Sequence, residues 1–272
     1  MSALAGTPET MARAAAPARR RLVRIYWLEA KAEALKAMRL PAFVLPLFAF
    51  PIMFYLLFGL AMHYGSLGGV SVAVYLLATY GAFGVMNAAL FGFGMGVAAE
   101  RGQGWLLLKR ATPMPPLALF AGKLAMSLLF AVGIVGALIA LGLGLGHVRL
   151  PAATLAELAA VLVAGALPFA ALGLAVGYWA GPNSAPALCN LLSLPMAFAS
   201  GLWIPFPMLP SLVRQVARGL PAYHLAQLAL GVIGAGNREP AAGSVLYLAA
   251  FTAVMLGLAR AGYLRDEGRT YG

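Results

Sequence analysis

The chain has 272 residues, of which 62% are hydrophobic and only 10% are charged, and its mean hydropathy is +0.87. Soluble domains carry about 25% charged residues, so this composition excludes a protein whose whole surface faces water. Apolar stretches of about 20 residues recur, and each is long enough as a helix to cross a hydrocarbon layer of about 30 Å. The sequence therefore predicts an all-α integral membrane protein. The net charge is +11, and the positions of the basic residues along the chain, described below, account for it.

A polar and basic segment precedes the first apolar stretch. Residues 1–18 are rich in Ala and Pro, which predicts a disordered leader. Residues 22–40 contain neither Gly nor Pro, and Ala, Leu, Glu and Lys dominate there, which favours a helix. Tyr26 and Trp27 suit the headgroup zone of a bilayer. We therefore expect an interfacial connecting helix over residues 19–41 that lies on the membrane.

This predicted helix has two unlike sides. The polar stripe consists of Glu29, Glu33 and Lys36. The apolar side consists of Ile25, Leu28, Ala32 and Leu35. In an interfacial helix the apolar side is the one that enters the lipid.

Residues 42–265 are predicted to form one transmembrane domain with six membrane-spanning helices. Connections rich in turn-forming residues occur at 63–69 and 181–186. A short tail, residues 266–272, follows the last span. The spans are predicted near 43–62, 70–98, 117–146, 152–180, 184–203 and 243–263.

The distribution of basic residues predicts the orientation. If the N-terminus is inside, 15 of the 19 Lys and Arg residues fall on the inner side. The four on the outer side are Arg149, Arg214, Arg218 and Arg238. Since positive residues are enriched in cytoplasmic loops, both termini and the connection at 98–116 are predicted to be cytoplasmic. The positive charge is then a topology signal, and no nucleic-acid partner is expected.

The sequence carries no pattern typical of a catalytic or metal site. His63, His147 and His224 fall in three different predicted loops and belong to no H-E-x-x-H motif. The Gly122–Lys123 pair lacks the remaining residues of a phosphate-binding loop. We therefore predict a non-catalytic chain that binds no metal or cofactor and has no energy source of its own. The scarcity of ionisable residues inside the spans disfavours an ion-coupled secondary transporter.

Small and amide side chains are the notable features inside the spans. Glycines spaced by four occur at Gly92/Gly96, Gly142/Gly146 and Gly173/Gly177/Gly181, and such spacing favours close helix packing within one chain over a dimer seam. Two amides, Asn87 and Asn190, are expected at membrane depth. They either bond across helices or face a substrate path, and the sequence leaves both alternatives open.

Two segments carry recognisable motifs. The first is "ERGQGWLLLKRATPMPPLALFAGKL". The second is "SGLWIPFPMLPSLVRQVARGLPAYHLAQLALGVI". Together they resemble the permease subunits of ABC-2-type ABC exporters, a family with a type V exporter-like fold, although Gln103 stands where the family usually has Thr. Positions that match in the first are Glu100, Arg101, Gly102, Gly104, Leu106 to Leu108, Thr112, Pro113, Gly122 and Lys123. Positions that match in the second are Gly201, Pro205, Leu209, Pro210, Leu220, Pro221 and Tyr223.

The resemblance implies a coupling role for the connection between the second and third spans. In this family that connection docks into a cytoplasmic ATPase subunit, which binds ATP and Mg and is present in two copies. An alternative is that the charges here only fix the topology. The residues expected to couple to the ATPase are Glu100, Arg101, Gly102, Gly104, Trp105, Lys109, Arg110, Thr112 and Pro113.

The resemblance also implies a second permease copy, expected to be identical, in the bacterial inner membrane. The pathway would lie between the two copies and carry a hydrophobic or amphipathic substrate such as a drug, an antibiotic or a lipid. Candidates for lining it are Asn87, Asn190, Phe198, Trp203 and Phe206. The alternatives are an assembly or sensory subunit on the same scaffold and a secondary transporter.

Overall fold

The structure is a computed structural model that describes residues 8–60, 65–110, 114–236 and 240–267. These residues are mostly helical, and the strands Ser66–Leu67 (β1) and Val70–Ser71 (β2) pair as a small antiparallel hairpin. The first six helices are α1 (Pro8–Met38), α2 (Pro41–Phe54, continued by a π-helical stretch Tyr55–Leu60), α3 (Val72–Gly102), α4 (Trp105–Arg110), α5 (Pro116–Gly144) and α6 (Ala152–Ala164). The others are α7 (Ala166–Trp179), α8 (Ala185–Ala199), α9 (Ser211–Ala217), α10 (Pro221–Val232) and α11 (Ala241–Glu267).

The predicted disordered leader needs correction. Helix α1 begins at Pro8, so residues 8–18 are helical, and only residues 1–7 of the predicted leader lie outside the described part of the chain. Alanine is the commonest residue between positions 8 and 18, and it has the highest helix propensity of all residues. Residues 8–18 thus extend the predicted connecting helix towards the N-terminus.

Five helical stretches of the described residues are long and apolar enough to cross a bilayer. They are Pro41–Gly59, Val72–Gly102, Leu117–Gly144, Ala152–Trp179 and Ala241–Asp266. The fifth predicted span, 184–203, corresponds to α8, which has only 15 residues. A helix of that length rises about 22 Å, which is short of the hydrocarbon thickness. Helix α8 ends near Gly201, whose φ of +81° belongs to the left-handed region that favours glycine.

Helix α8 nevertheless returns the chain from one end of the bundle to the other, because its contacts follow α3 backwards. Cys189 lies 3.9 Å from the carbonyl oxygen of Leu90. Further along, Ser193 donates a hydrogen bond to Asn87. Beyond the end of α8, Trp203 packs on Phe83 with ring centroids 5.2 Å apart. The segment from α8 to Trp203 is therefore antiparallel to α3.

Helix α3 is the central helix, with 72% of its most apolar window buried. Helix α7 packs on it through the predicted glycine face. A Cβ at position 173 would lie 2.5 Å from the carbonyl oxygen of Leu90, and one at position 177 would lie 2.7 Å from the Cβ of Val97. These glycines allow backbone contact within one chain, as the spacing predicted.

The bundle has two ends, which we name by their features. At the α4 end lie the start of α2, the end of α3, helix α4, the end of α7 and the end of α11. The hydrogen bond from Trp179 Nε1 to the carbonyl oxygen of Leu258, 2.9 Å long, fixes α7 and α11 side by side there. At the hairpin end, a Cβ on Gly68 would lie 2.9 Å from the carbonyl oxygen of Ala235.

Candidate functional site

The polar connection at 98–116 forms a short helix held by a tight turn. Helix α3 ends at Gly102, and Gly104 has a φ of +73°, which a residue with a side chain rarely adopts. Helix α4 follows at once from Trp105 to Arg110. Within it Leu106 is buried, whereas Trp105 and Leu108 are 52% and 67% exposed. The structure therefore presents two large apolar side chains on the outer surface of α4.

A buried ion-pair cluster lies beneath α4 and joins four helices. At its centre Lys123 of α5 is 1% exposed, and its Nζ lies 3.0 Å from Glu33 of α1 and 2.9 Å from Glu100 of α3. Lys36 contacts both of these carboxylates from α1, at 3.1 Å in the case of Glu33. Burying a charge is costly unless it is paired, and here each buried charge has partners of the opposite sign.

Lys109 connects α4 to this cluster. Its Nζ lies 2.6 Å from a carboxylate oxygen of Glu29, 3.2 Å from Glu33 and 3.9 Å from Glu100. The cluster thus contains three carboxylates and three ammonium groups, which balance in charge. Since α4 is only six residues long, this lysine is its main polar attachment to α1 and α3 among the contacts of the described residues.

The charges in the cluster shift one another's pKa. Burial by itself raises the pKa of Glu33, but the neighbouring ammonium groups of Lys123, Lys36 and Lys109 outweigh it and lower that pKa to about 2. For Lys36 and Lys109, burial lowers the pKa, and the carboxylates around them outweigh it, so both pKa values are raised. All of these shifts favour the charged forms.

A second polar contact at the α4 end is made by Arg101. Its guanidinium donates hydrogen bonds to the carbonyl oxygens of Gly177, Tyr178 and Ala180, and its Nε lies 3.4 Å from Asp266. Gly177 and Tyr178 belong to the last turn of α7, whose carbonyl oxygens have no partners within the helix, and Ala180 directly follows that turn. Arg101 therefore ties the end of α3 to the ends of α7 and α11.

The structure divides the predicted coupling residues into two groups. Glu100, Arg101 and Lys109 point inward and hold helices together, while Trp105 is on the surface. Gly102 packs against Pro182, because a Cβ there would lie 2.6 Å from that ring. The side chain of Arg110 and residues Thr112 and Pro113 lie outside the described part of the chain.

Sequence reasoning missed the partners on α1 and the role of Lys123. Lys123 lies near the end of an apolar span, from where a lysine side chain ordinarily extends towards water, but it is buried against two carboxylates. The spacing of Glu29, Glu33 and Lys36 was a usable signal, since residues three and four apart share one helix face. What the sequence did not reveal is that this polar stripe packs inward.

The predicted substrate-path residues do not form one surface. Asn87 accepts the hydrogen bond from Ser193 and so bonds across helices, whereas Asn190 is exposed and donates to the carbonyl oxygen of Pro186 in its own helix. Phe206 is buried against Tyr223, with ring centroids 4.9 Å apart, in a separate small core at the hairpin end.

Phe198 and Trp203 do lie together, and they belong to an aromatic group at the hairpin half of the bundle. Their ring centroids are 4.6 Å apart, and Trp203 also packs 5.1 Å from Phe54 of α2. Phe198 is 45% exposed, and Phe58 on the π-helical stretch after α2 is 40% exposed. An aromatic surface is thus open between the first predicted span and α8.

Comparison with known proteins decides the family. The sequence model described as ABC-2 family transporter protein matches residues 67–261, which is well over half of the chain. The chain belongs to this family. The permease is also 27% identical over 186 residues to the Bacillus subtilis (strain 168) protein named "Putative transport permease YvfS", a match that covers 68% of this chain and 74% of that relative.

The family membership confirms the resemblance stated from the two sequence segments. The matched range begins in the hairpin and includes α3, α4 and α5, so it contains the cluster residues Glu100, Lys109 and Lys123. It leaves out α1 and α2, which carry Glu29, Glu33 and Lys36. The protein is thus a multi-pass ABC-2 permease with a role in transport.

Proposed function

We propose that the permease is the membrane subunit of an ATP-driven exporter, that its α4 end is cytoplasmic, and that α4 docks into a separate ATPase subunit. The observation that carries this proposal is the construction of α4. Its inner side is attached to the bundle by Lys109 and Leu106, and its outer side presents Trp105 and Leu108. Large apolar side chains surrounded by polar rims are typical anchors of protein interfaces.

The attachment of α4 is suited to passing on a movement. A push on α4 would reach α1, α3 and α5 through charges that are buried and paired, and it would reach α7 and α11 through Arg101. A cavity of about 100 Å³ lies beneath α4, lined by Leu106, Phe120 and Tyr263 among others. Docking contacts bring about a change only if they differ between two states of the partner, and this cavity gives α4 room to shift.

Two further parts of the proposal concern the second copy and the substrate. Helix α2 is only 22% buried in its most apolar window, and α8 exposes Leu191 and Phe198. We propose that a second identical permease packs against this side and that the substrate passes between the copies. The open aromatic surface at Phe58 and Phe198 supports a hydrophobic or amphipathic substrate moved out across the bacterial inner membrane.

The test is co-purification from mild detergent. The tagged native chain is compared with the variant Trp105→Ser/Leu108→Ser, and the recovered ATPase activity is measured. A matched control is Met208→Ser/Leu212→Ser, which changes two apolar residues at the hairpin end that are at least as exposed (67% and 71%). We expect the native chain and the control to recover an ATPase and the α4 variant to lose it. Recovery of the ATPase by the α4 variant, or failure of the native chain to recover any, would overturn the proposal.

A transport assay tests the direction. Inverted membrane vesicles that contain the permease with its co-purifying ATPase should accumulate a hydrophobic dye when ATP is added outside. The same vesicles with the α4 variant should not. Accumulation driven by a proton gradient without ATP would instead indicate a secondary transporter.

A further inference from the structure

From Arg20 onward, the two sides of helix α1 differ in charge. Its two acidic residues in this part, Glu29 and Glu33, point inward, where their side chains are 13% and 4% exposed and paired with lysines. The opposite side carries basic residues and no acidic residue within residues 20–40. The exposed bases on this side are Arg20, Arg21, Arg24, Lys31 and Arg39, whereas Lys36, also exposed, lies beside Glu33 on the inward side.

Apolar side chains are interspersed with these bases. Trp27 is 67% exposed, and Leu28, Leu35 and Met38 are 50%, 40% and 50% exposed. Exposing such a surface to water is unfavourable, because the free energy falls when apolar groups leave water. A face that combines bases with Trp and Leu is typical of helices that lie in the headgroup region of a membrane.

The position of α1 in the chain places this face near the bilayer. The helix ends at Met38, and the first membrane-crossing stretch begins three residues later at Pro41. The inward side of α1 is held on α5 by the ion-pair cluster, so the outward side cannot rotate inward without breaking those pairs. Its bases therefore stay directed away from the bundle.

We propose that the outward face of α1, formed by Arg20, Arg21, Arg24, Lys31 and Arg39 with Trp27 and Leu28, binds the headgroups of anionic phospholipids. The bases pair with lipid phosphates, and the apolar side chains enter the region just below the headgroups. This assignment goes beyond topology, because the positive-inside rule orients a chain but does not predict a preference for anionic over zwitterionic lipid. The lipid-binding proposal requires that α1 lies against a membrane, but it does not require that the exporter proposal be correct.

The length and mixed composition of the basic face favour a lipid surface over an acidic protein as its binding partner. The bases recur along about 30 Å of helix, at a rise of about 1.5 Å per residue between positions 20 and 39, and the apolar residues are mixed among them. A layer of lipid headgroups is continuous, so it can contact every base and every apolar side chain along this face at the same time. The proposed ATPase contact, in contrast, lies on α4 around Trp105.

The experiment measures lipid preference of the full-length protein. The purified chain is titrated with phosphatidylglycerol and with phosphatidylcholine in detergent, and the bound lipids are counted by native mass spectrometry. The variant Arg20→Gln/Arg24→Gln/Lys31→Gln is compared with Arg149→Gln/Arg214→Gln/Arg218→Gln, which removes three exposed bases at the hairpin end. Hydrogen exchange of residues 20–40 is followed in nanodiscs with and without phosphatidylglycerol.

We expect the native chain and the hairpin-end control to prefer phosphatidylglycerol and to show slower exchange of α1 when it is present. Each base near an anionic surface contributes about a fivefold change in affinity, so the α1 variant should lose about tenfold or more of this preference. Equal preference in the native chain and the α1 variant would overturn the proposal, as would an equal loss in the control. An α1 variant that keeps its lipid preference but no longer recovers an ATPase would assign this face to a protein partner instead. Failure of the Trp105 experiment alone would leave the lipid result intact.

Discussion

The ammonium group of Lys123 lies 2.9 Å from Oε1 of Glu100, and the lysine is only 1% exposed to solvent. The two residues are on different helices, α5 and α3, and Glu33 of α1 completes the contact from a third helix. In a chain with so few charged residues, three of them are thus used to join helices at one end of the bundle. That end is also the one that carries α4.

Removing the central charge should destabilise the permease. In Lys123→Met the carboxylates of Glu33 and Glu100 lose their most buried partner, and breaking a buried ion pair from one side costs about 3–5 kcal/mol. We expect a markedly lower melting temperature in detergent, measured by size-exclusion chromatography after heating. Arg260→Met, which removes an exposed base at the same end, should melt like the native chain. Similar melting of the two variants would show that the cluster contributes little.

The α4 end should lose stability at acidic pH. The Glu33 carboxyl has a pKa of about 2 in the folded protein against an ordinary value of 4.5. Because the folded pKa is the lower one, its contribution is complete above about pH 4.5 and is lost as the pH falls towards 2. The difference corresponds to about 3 kcal/mol.

The measurement for this prediction is the melting temperature between pH 7 and pH 3. Glu33→Gln should be less stable than the native chain at neutral pH and should show a flatter decline below about pH 4.5. Glu157→Gln, at an exposed position near the hairpin end, should keep the native profile. A native profile in Glu33→Gln would contradict the assigned pKa.

Arg101 should hold the end of α11 in place. A lysine has one compact ammonium group and cannot reach the carbonyls of α7 and the carboxylate of Asp266 together, so Arg101→Lys should free the last turns of α11. Hydrogen exchange of residues 258–266 should become faster by at least about tenfold, which corresponds to about 1.4 kcal/mol. Arg265→Lys, an exposed base on the same helix that stacks over Trp179, serves as the control and should change exchange far less. Unchanged exchange in Arg101→Lys would refute this role.

The glycine contact between α3 and α7 should not tolerate even one methyl group. In Gly173→Ala the new Cβ would lie 2.5 Å from the Leu90 carbonyl oxygen, so the helices must separate, at a cost of about 1–3 kcal/mol. Gly136→Ala is the matched control, because a Cβ there meets no atom within 4 Å and alanine favours the helix by about 0.5–1 kcal/mol. We expect the first variant to melt lower than the native chain and the second to melt at the same temperature or higher. The opposite order would show that α7 does not pack on α3 as described.

Much of the architecture could be predicted from the sequence because hydrophobic length is a local property. Five of the predicted spans correspond to helices long enough to cross a bilayer, and the glycine spacing at Gly173 and Gly177 correctly predicted a close contact within one chain. The six-span topology itself stays a prediction, since α8 is too short to count by length alone. The prediction of disorder was wrong for residues 8–18, where the alanine-rich sequence also favours helix.

The candidate site could be predicted only in its location. Two sequence segments pointed to the connection at 98–116 and to the ABC-2 family. The match to the family model confirmed the family. Which way each side chain points was not predictable, and Glu100 and Arg101 proved to be internal. The surface available for docking is the smaller one around Trp105 and Leu108.

The sequence by itself determined that this is an integral membrane protein, where its long apolar helices lie along the chain and which family it belongs to, because these follow from composition, local propensity and short motifs. Only the tertiary structure decided that the polar stripe of α1 packs inward and that its basic and aromatic side faces outward. The physical reason is that Glu33 has two sets of possible neighbours, water or the lysines at positions 109 and 123, and those lysines are brought to it by other helices. These two lysines are 76 and 90 positions from Glu33 in the sequence, so only the folded chain brings them into contact with it.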